Sequence, residues 1–226
     1  MNEQQKEIIR KTADYAKKTL GVEATGHDWF HVQRVWLNAR LIGKASGADL
    51  FIVELAALLH DIADWKFHGG DTAVGPAKAK KWLEGLKVDR TSTAHITSIV
   101  KNISFKGAKV KNKIHTLEGR VVQDADRLDA IGAIGIARAF AYGGATGREI
   151  HNPGRELELH SSAEAYSKNT SPTINHFHEK LLLLKDRMNT KAGKELARDR
   201  HEFMRLFLRQ FDREVSGRKA PEKKVK

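Results

Sequence analysis

The sequence predicts an all-α fold, organised as a single domain over residues 1–215. Apolar residues recur at helical spacing along nearly the whole of the 226-residue chain, and no series of strand-like alternations is present. Glycine, proline and helix-capping residues stand at the joints between these periodic segments. A chain of this length can bury a substantial hydrophobic core.

The first half of the chain contains five predicted helices. They cover residues 3–19, 27–45, 51–61, 77–86 and 91–103. Gly21 ends the amphipathic first helix, and Asp49 is placed to cap the start of the third. Pro76 suits the first turn of the fourth helix, and Asp89 or Thr91 can cap the fifth.

The second half combines further helices with one long irregular segment. Helices are predicted near 117–126 and over 129–142, 173–188 and 192–215, so that two long helices close the chain. Small residues in 129–142 allow close approach of another helix. The excursion 143–172 is long enough to suggest a functional role, such as a lid over a site. The tail 216–226 is basic, lacks apolar periodicity and is predicted to be disordered.

Composition excludes several classes of protein. The chain contains no cysteine, so it has neither disulfide bonds nor thiolate sites. No apolar stretch is long enough for a membrane span and the N-terminus is too polar for a secretory signal, which predicts a cytoplasmic protein without a membrane partner. The net charge of +12 favours anionic substrates. Part of this charge lies in the tail, and no nucleic-acid-binding motif accompanies it.

A pair of residues capable of binding a metal, His60-Asp61, closes the apolar run 51–59. Burying an unpaired imidazole or carboxylate is costly, so such a pair needs a partner. His31 and Asp126 have the same character, and the four together offer two imidazoles and two carboxylates to a divalent metal such as Mn, Fe, Co or Zn. Neighbouring side chains diverge by about 100° on a regular helix. Both members of the pair can therefore reach one ion only at a helix end or in a groove.

The order His31, His60-Asp61, Asp126 resembles the HD-domain superfamily of metal-dependent phosphohydrolases. The segments AALLHDIADWKF, NISFKG and QDADRLDAIGAIGIARAF are similar to a small bacterial subgroup that includes nucleotide pyrophosphohydrolases, over about residues 20–215. The resemblance implies an HD-type helical bundle with one metal site formed by these four residues. It also implies hydrolysis of nucleoside or deoxynucleoside triphosphates to monophosphate and pyrophosphate. Mn is the favoured ion, and Mg, Co, Ni, Fe or Zn remain possible.

Three residues in predicted loops are candidates for catalysis and substrate binding. By resemblance, Asp64 is the general base or the residue that orients the attacking water, although a glutamate is usual at this position in the family. Lys66 and Lys106, the latter in the SFKG loop, could neutralise phosphate charge. The alternative for all three is an exposed loop residue with no part in the chemistry.

Two further candidates for substrate binding lie on predicted helices. Arg127 follows Asp126 directly and could bind phosphate in a bidentate manner, or form a structural ion pair with Asp129 or Asp124. Lys180 falls on the same side of its predicted helix as possible pocket residues. Its alternative is a polar residue facing water while the apolar face forms core.

Two other histidines have less definite roles. His27 matches none of the metal positions of the family, which favours a place at a helix N-terminus or in support of the site. His95 could point towards the metal, where some HD enzymes bind a second ion, but the full pattern for two metals is absent. The sequence therefore predicts one metal ion.

Other functions remain open at this point. Within hydrolases the alternative is a 5′-nucleotidase or a phosphodiesterase acting on another small phosphate ester. No GYP signature follows the HD pair, and Ala63-Asp64 stands where (p)ppGpp hydrolases have an ED pair. The alternative outside enzymes is a nucleotide- or RNA-binding module. Either a monomer or a homodimer is compatible with the sequence.

Overall fold

A computed structural model describes residues 1–20, 28–63, 73–103, 114–159 and 169–218. Within these ranges the chain forms helices and turns and no β-strand, which confirms the all-α prediction. No helix in this part of the chain combines the length and apolar composition needed to cross a membrane. Four of the predicted functional residues lie outside the described ranges: His27, Asp64, Lys66 and Lys106.

The helices follow the predicted order. They are α1 (Glu3–Leu20), α2 (Trp29–Ser46), α3 (Leu50–Leu59), α4 (Val74–Gly85), α5 (Arg90–Asn102), α6 (Leu117–Asp129), α7 (Gly132–Ala145), α8 (Thr173–Glu179) and α9 (Lys191–Val215), with a 3-10 helix (Leu181–Arg187) between α8 and α9. The Asp49 side chain accepts a hydrogen bond from the backbone N–H of Phe51 and caps α3. Asp89 accepts from Ser92 and caps α5. Side-chain caps of this kind define where each helix begins.

Helix α3 is the centre of the hydrophobic core. Its residues from Phe51 to Leu59 are all buried, and the helix packs against α1, α2, α5 and α6. Burying one leucine or isoleucine side chain contributes about 1.5–3 kcal/mol, so this apolar run fixes the position of α3 firmly. Helices α2 and α6 also pack extensively against each other. The C-terminal end of α3 is therefore held beside both α2 and α6.

The boundary between α6 and α7 lies later than predicted. Helix α6 continues to Asp129, and α7 begins at Gly132, whose φ of +76° is in the left-handed region that favours glycine. A Cβ atom on Gly135 would lie 2.3 Å from the Ala130 carbonyl oxygen. The start of α7 therefore packs tightly against the residues that connect it to α6. The predicted start of a helix at Asp129 is wrong. As part of α6, Asp129 lies three residues after Asp126 and on the same side of the helix.

The predicted helix 173–188 is also interrupted. Helix α8 ends at Glu179, Lys180 has a non-helical backbone, and a 3-10 helix follows. The buried Glu179 carboxylate accepts hydrogen bonds from the Asn169 side chain and the Glu158 backbone N–H, which ties the end of α8 to the preceding segment. The interruption replaces the first of the two long C-terminal helices by two short ones. The predicted apolar face is nevertheless buried, namely Ile174, Phe177, Leu181 and Leu184.

Both ends of the predicted excursion are tied to the fold. Helix α7 extends to Ala145, so the irregular segment is shorter than expected. The backbone N–H groups of Thr173 and Ile174 donate to the carbonyls of Glu149 and Ile150, at 2.8 and 3.0 Å. Residues 160–168 lie outside the described ranges, and the role of this segment as a lid stays a prediction.

A buried carboxylate connects α6 to the N-terminus of α9. Asp124 is fully buried and accepts hydrogen bonds from the backbone N–H groups of Asn189 and Thr190 and from both of their side chains, at 2.7–3.0 Å. The Thr190 hydroxyl in turn accepts from Gly193 and caps α9. A Cβ atom on Gly193 would lie 2.5 Å from the Asp124 Oδ2. The close contact requires glycine at this position.

A buried histidine on α9 is expected to make the stability of the fold depend on pH. His201 lies on the buried stripe of α9, and its Nδ1 has no hydrogen-bond partner among the described residues. Burial, assisted by the charge of Lys185, lowers the pKa of His201 below its usual 6.5. Below pH 6.5 the unfolded chain therefore binds more protons at this residue than the folded one, and stability falls on acidification.

We expect His201→Leu to reduce this pH dependence. Between pH 7.5 and pH 5 the free energy of unfolding of the unmodified protein should fall further than that of the variant, because leucine has no proton to gain. Urea unfolding at four pH values measures both slopes. Parallel slopes for the two proteins would contradict the assignment.

Candidate metal centre

Four side chains from three parts of the fold meet at one point. His31 comes from the first turns of α2, His60 and Asp61 from the turn that follows α3, and Asp126 from α6. The Nε2 atom of His31 lies 3.2 Å from the Nε2 of His60, 3.4 Å from the Asp61 Oδ2 and 3.6 Å from the Asp126 Oδ1. The Nε2 of His60 lies 3.5 Å from the Asp61 Oδ2 and 3.9 Å from the Asp126 Oδ1. The structure thus brings together all four predicted ligands.

The end of α3 explains how two neighbouring residues reach the same point. Helical hydrogen bonding in α3 stops at Leu59, and residues 60–63 form a turn in which the Ile62 N–H donates to the Leu59 carbonyl. From this turn the His60 side chain reaches His31 on α2 and Asp126 on α6. The pair therefore lies at a helix end beside two other helices, as the sequence analysis requires for both residues to reach one ion.

The cluster is buried on one side and open on the other. The side chains of His31 and His60 are 1% and 2% exposed, whereas that of Asp126 is 29% exposed. The imidazoles therefore lie in a region of low dielectric constant, and the site opens to solvent beside Asp126. A catalytic metal site requires such an open position for water or substrate.

Hydrogen bonds at Nδ1 orient both imidazoles. His31 Nδ1 lies 2.7 Å from a carboxylate oxygen of Asp129, and His60 Nδ1 lies 2.8 Å from the Ala57 carbonyl oxygen. These partners are acceptors, so each Nδ1 carries the proton and donates it. In the neutral imidazoles the lone pairs are then on the two Nε2 atoms, which face each other. Two lone pairs and two carboxylates at this separation repel one another unless a proton or a metal cation lies between them.

The geometry fits a divalent metal ion. Histidine and carboxylate ligands bind such ions at about 2.0–2.2 Å, which places neighbouring ligand atoms about 3.0–3.5 Å apart. The five separations that involve His31 or His60, 3.2 to 3.9 Å, are close to this range. A mixed set of imidazole and carboxylate suits Mn, Fe, Co, Ni or Zn better than it suits Mg, which prefers oxygen ligands.

The charges around His31 are strongly coupled. Burial alone would lower the pKa of His31, but the hydrogen bonds with Asp129 and Asp61 outweigh burial and raise the pKa to about 9. Burial would likewise raise the pKa of Asp129, but hydrogen bonds from His31 and Arg34 hold it well below its usual range. Asp129 is therefore ionised throughout the physiological pH range, and the site strongly favours a positive charge.

Asp129, Arg34 and Arg138 form a supporting network that the sequence analysis missed. Arg34 on α2 donates to Asp129 through Nε and Nη2, at 2.6 and 3.1 Å, and Arg138 on α7 donates through Nη1 at 2.8 Å. The spacing of these residues in the sequence could have identified them. Arg34 lies three residues after His31, and Asp129 lies three residues after Asp126. Residues three apart on a helix share a face.

Arg127 forms a structural ion pair, which was the alternative to phosphate binding. Its guanidinium is buried, lies 4.0 Å from the Asp124 Oδ1 and donates to the Arg187 carbonyl. Burial lowers its pKa, against the opposing charges of Asp124 and Asp126. The ion pair is formed with Asp124, while Asp129 pairs with Arg34 and Arg138.

The remaining described candidates are Lys180 and His95. Lys180 stands at the junction between α8 and the 3-10 helix. His95 on α5 is bonded through Nε2 to the Thr116 hydroxyl at 3.0 Å and lies 3.7 Å from Glu118. These contacts connect His95 to the start of α6. Among the described residues, the group with metal-binding geometry is the one that contains His31, His60 and Asp126.

Comparisons with known proteins agree with this architecture. The HD domain family model matches residues 29–131, from the start of α2 to the residue before α7. The uncharacterized protein YpgQ of Bacillus subtilis is 40% identical over 205 residues, which cover 90% of this chain and 91% of YpgQ. The crystal structure of YpgQ in complex with ADP has a TM-score of 0.71 and 34% identity, and the match covers 92% of this chain and 98% of that one.

Two other crystal structures are similar over nearly the whole chain. A protein of Lactobacillus plantarum has a TM-score of 0.84 and 37% identity, with 96% of this chain and 99% of that chain covered. An HD-superfamily hydrolase of Bacillus thuringiensis has a TM-score of 0.73 and 42% identity, with 94% and 98% covered. The family match, these relatives and the convergence of His31, His60, Asp61 and Asp126 lead to one conclusion: the chain belongs to the HD-domain superfamily of hydrolases.

Proposed function

We propose that the protein is a metal-dependent hydrolase of nucleoside or deoxynucleoside triphosphates that releases monophosphate and pyrophosphate. The observation that carries the proposal is the convergence of four ligand atoms, His31 Nε2, His60 Nε2, Asp61 Oδ2 and Asp126 Oδ1. The opening beside Asp126 gives a substrate access to that point. ADP bound to YpgQ supports a nucleotide as the ligand.

The four convergent residues would hold one divalent ion, with Mn favoured. When bound, the ion supplies Lewis acidity, which makes water more acidic and attracts phosphate oxygens. His31 and His60 contribute neutral nitrogen ligands, and their Nδ1 hydrogen bonds keep the rings in place. Asp61 and Asp126 contribute negative charge that balances the ion.

The hydrolytic step needs a base and positive charge. A water oxygen would bond to phosphorus while the anhydride bond between the α- and β-phosphates breaks and pyrophosphate leaves. We assign Asp64 to orient this water and accept its proton. Lys66, Lys106 and Lys180 are candidates to bind the phosphate chain. Arg127 is the weakest candidate, because it would have to leave the Arg187 carbonyl and Asp124.

The expected result of product analysis is monophosphate and pyrophosphate in equal amounts. Protein stripped with EDTA should be inactive on a panel of nucleoside and deoxynucleoside triphosphates. Activity should return on addition of Mn, Mg, Co or Ni, and most strongly with Mn. ³¹P NMR of the reaction mixture identifies both products. Inorganic phosphate as the only product would overturn pyrophosphate release and favour the 5′-nucleotidase.

Two other results would lead to different functions. Hydrolysis of phosphodiesters alone would assign the site to a phosphodiesterase. Complete absence of hydrolysis with every metal, together with salt-sensitive binding of nucleotide or RNA, would assign the protein as a binding module. The cluster of ligands argues against this last result, because a binding module has no need for four converging metal ligands.

A further inference from the structure

We propose that Asp129 is a positioning residue that fixes the His31 imidazole for metal binding, an inference that rests on the proposed function. Asp129 is 1% exposed and lies at the C-terminal end of α6. It is not one of the four predicted metal ligands. Its carboxylate is 2.7 Å from the Nδ1 atom of His31. It therefore lies on the side of the ring opposite Nε2, which is the atom that faces the other ligands.

The chemistry of this contact determines which ring nitrogen is free. An ionised carboxylate only accepts hydrogen bonds, so the proton of a neutral His31 must be on Nδ1. The Nε2 atom then carries the lone pair that a metal ion needs. A carboxylate at Nδ1 also makes the imidazole a stronger base and therefore a stronger ligand. His60 differs, because its Nδ1 donates to the uncharged Ala57 carbonyl.

Two guanidinium groups hold Asp129 in place. Arg34 donates two hydrogen bonds to the carboxylate and Arg138 donates one, from α2 and α7 respectively. Together with His31, three cationic or donor groups surround one buried carboxylate on α6. The carboxylate is therefore restrained on both oxygen atoms. Rotation of the His31 ring would break its hydrogen bond to Asp129, because the two arginines hold that carboxylate in place.

A purely structural ion pair is the competing explanation. Asp129 joins α2, α6 and α7, and such a junction contributes to stability whether or not a metal binds. The two roles differ in what they affect. A junction alters the unfolding temperature of the metal-free protein, whereas a positioning residue alters the affinity for the ion in a folded protein. Metal affinity is therefore the measurement that separates them.

We expect Asp129→Asn to weaken Mn binding at least tenfold in the full-length protein. An asparagine amide is uncharged and can present an N–H to the ring, so it neither strengthens the ligand nor selects one tautomer. Isothermal titration calorimetry with MnCl₂ on EDTA-stripped protein measures the affinity, and circular dichroism verifies the fold. The matched control is Asp199→Asn on α9, whose side chain is 85% exposed, and it should bind Mn as the unmodified protein does.

Asp129→Glu tests the same role with the charge retained. The longer side chain moves the carboxylate away from its restrained position, so Mn affinity should fall between those of the unmodified protein and Asp129→Asn. If Asp129→Asn does not fold, this variant decides the question. Weaker binding with an unchanged unfolding temperature without metal supports positioning. Unaltered Mn affinity in a folded variant overturns it and leaves the proposed function intact, whereas no Mn binding by the unmodified protein overturns both.

Discussion

Replacement of His60 by alanine is expected to reduce the rate of nucleotide hydrolysis about 10³-fold and to weaken Mn binding in parallel. The His60 Nε2 lies within 3.9 Å of the other three ligand atoms, so its removal opens the centre of the cluster. Lewis-acid assistance is worth several kcal/mol in the transition state, and each 1.36 kcal/mol corresponds to a factor of about ten. Steady-state kinetics with saturating Mn measure the loss in kcat.

His178→Ala is the matched control for this change. His178 is an exposed histidine on α8, and its loss should leave both kcat and Mn affinity unaltered. The fold of His60→Ala should be verified by circular dichroism, because the imidazole is buried. Hydrolysis at the normal rate by a folded His60→Ala protein would refute the proposal that these four residues form the catalytic centre.

Replacement of Asp124 by alanine is expected to destabilise the protein by about 3–5 kcal/mol, the usual cost of removing one partner from a buried ionic network. The fully buried carboxylate accepts hydrogen bonds from Asn189 and Thr190 and lies beside Arg127. Alanine would remove the acceptor that these donors share and the carboxylate that lies beside the Arg127 guanidinium. For a protein of this size, such a loss corresponds to a fall of about 10 °C in the unfolding temperature.

Differential scanning calorimetry tests this expectation. The control is Asp186→Ala, which removes a carboxylate that is 80% exposed and close in sequence to the same junction. That change should shift the unfolding temperature by no more than about 2 °C, as is usual for surface substitutions. A similar unfolding temperature for the two variants would mean that the contacts of Asp124 contribute little.

Much of the fold could be predicted because the helical signals are local. Periodicity and capping placed α1 to α5 within a few residues of their observed bounds, with Asp49 and Asp89 as caps. The position of His60 and Asp61 at the end of a buried run also predicted that the pair needs partners and lies at a helix end or in a groove. Local chemistry was sufficient in these cases, because a buried polar pair requires partners wherever they come from.

The features that were not predicted depend on tertiary contacts. Nothing in the local sequence interrupts a helix at Lys180, and the break accompanies the bonding of Glu179 to Asn169 and to Glu158. The extension of α6 to Asp129 depends on the left-handed Gly132 that follows it. Asp129 was considered only as a partner for Arg127, because its contact with His31 joins residues 98 positions apart. Sequence patterns do not contain such pairings.

The contacts between α6 and α9 also affect whether the segment matched by the HD family model could fold by itself. The HD match ends at residue 131, yet partners of that segment come from well beyond it. Thr190 bonds to Asp124, and Arg200 donates to the Leu128 carbonyl and to the Asn38 side chain. A fragment cut at residue 131 would leave the carboxylate of Asp124, two positions before Asp126, without the donors from Asn189 and Thr190. We therefore expect a fragment that lacks the C-terminal helix to be less stable than the full chain, because these contacts would be lost.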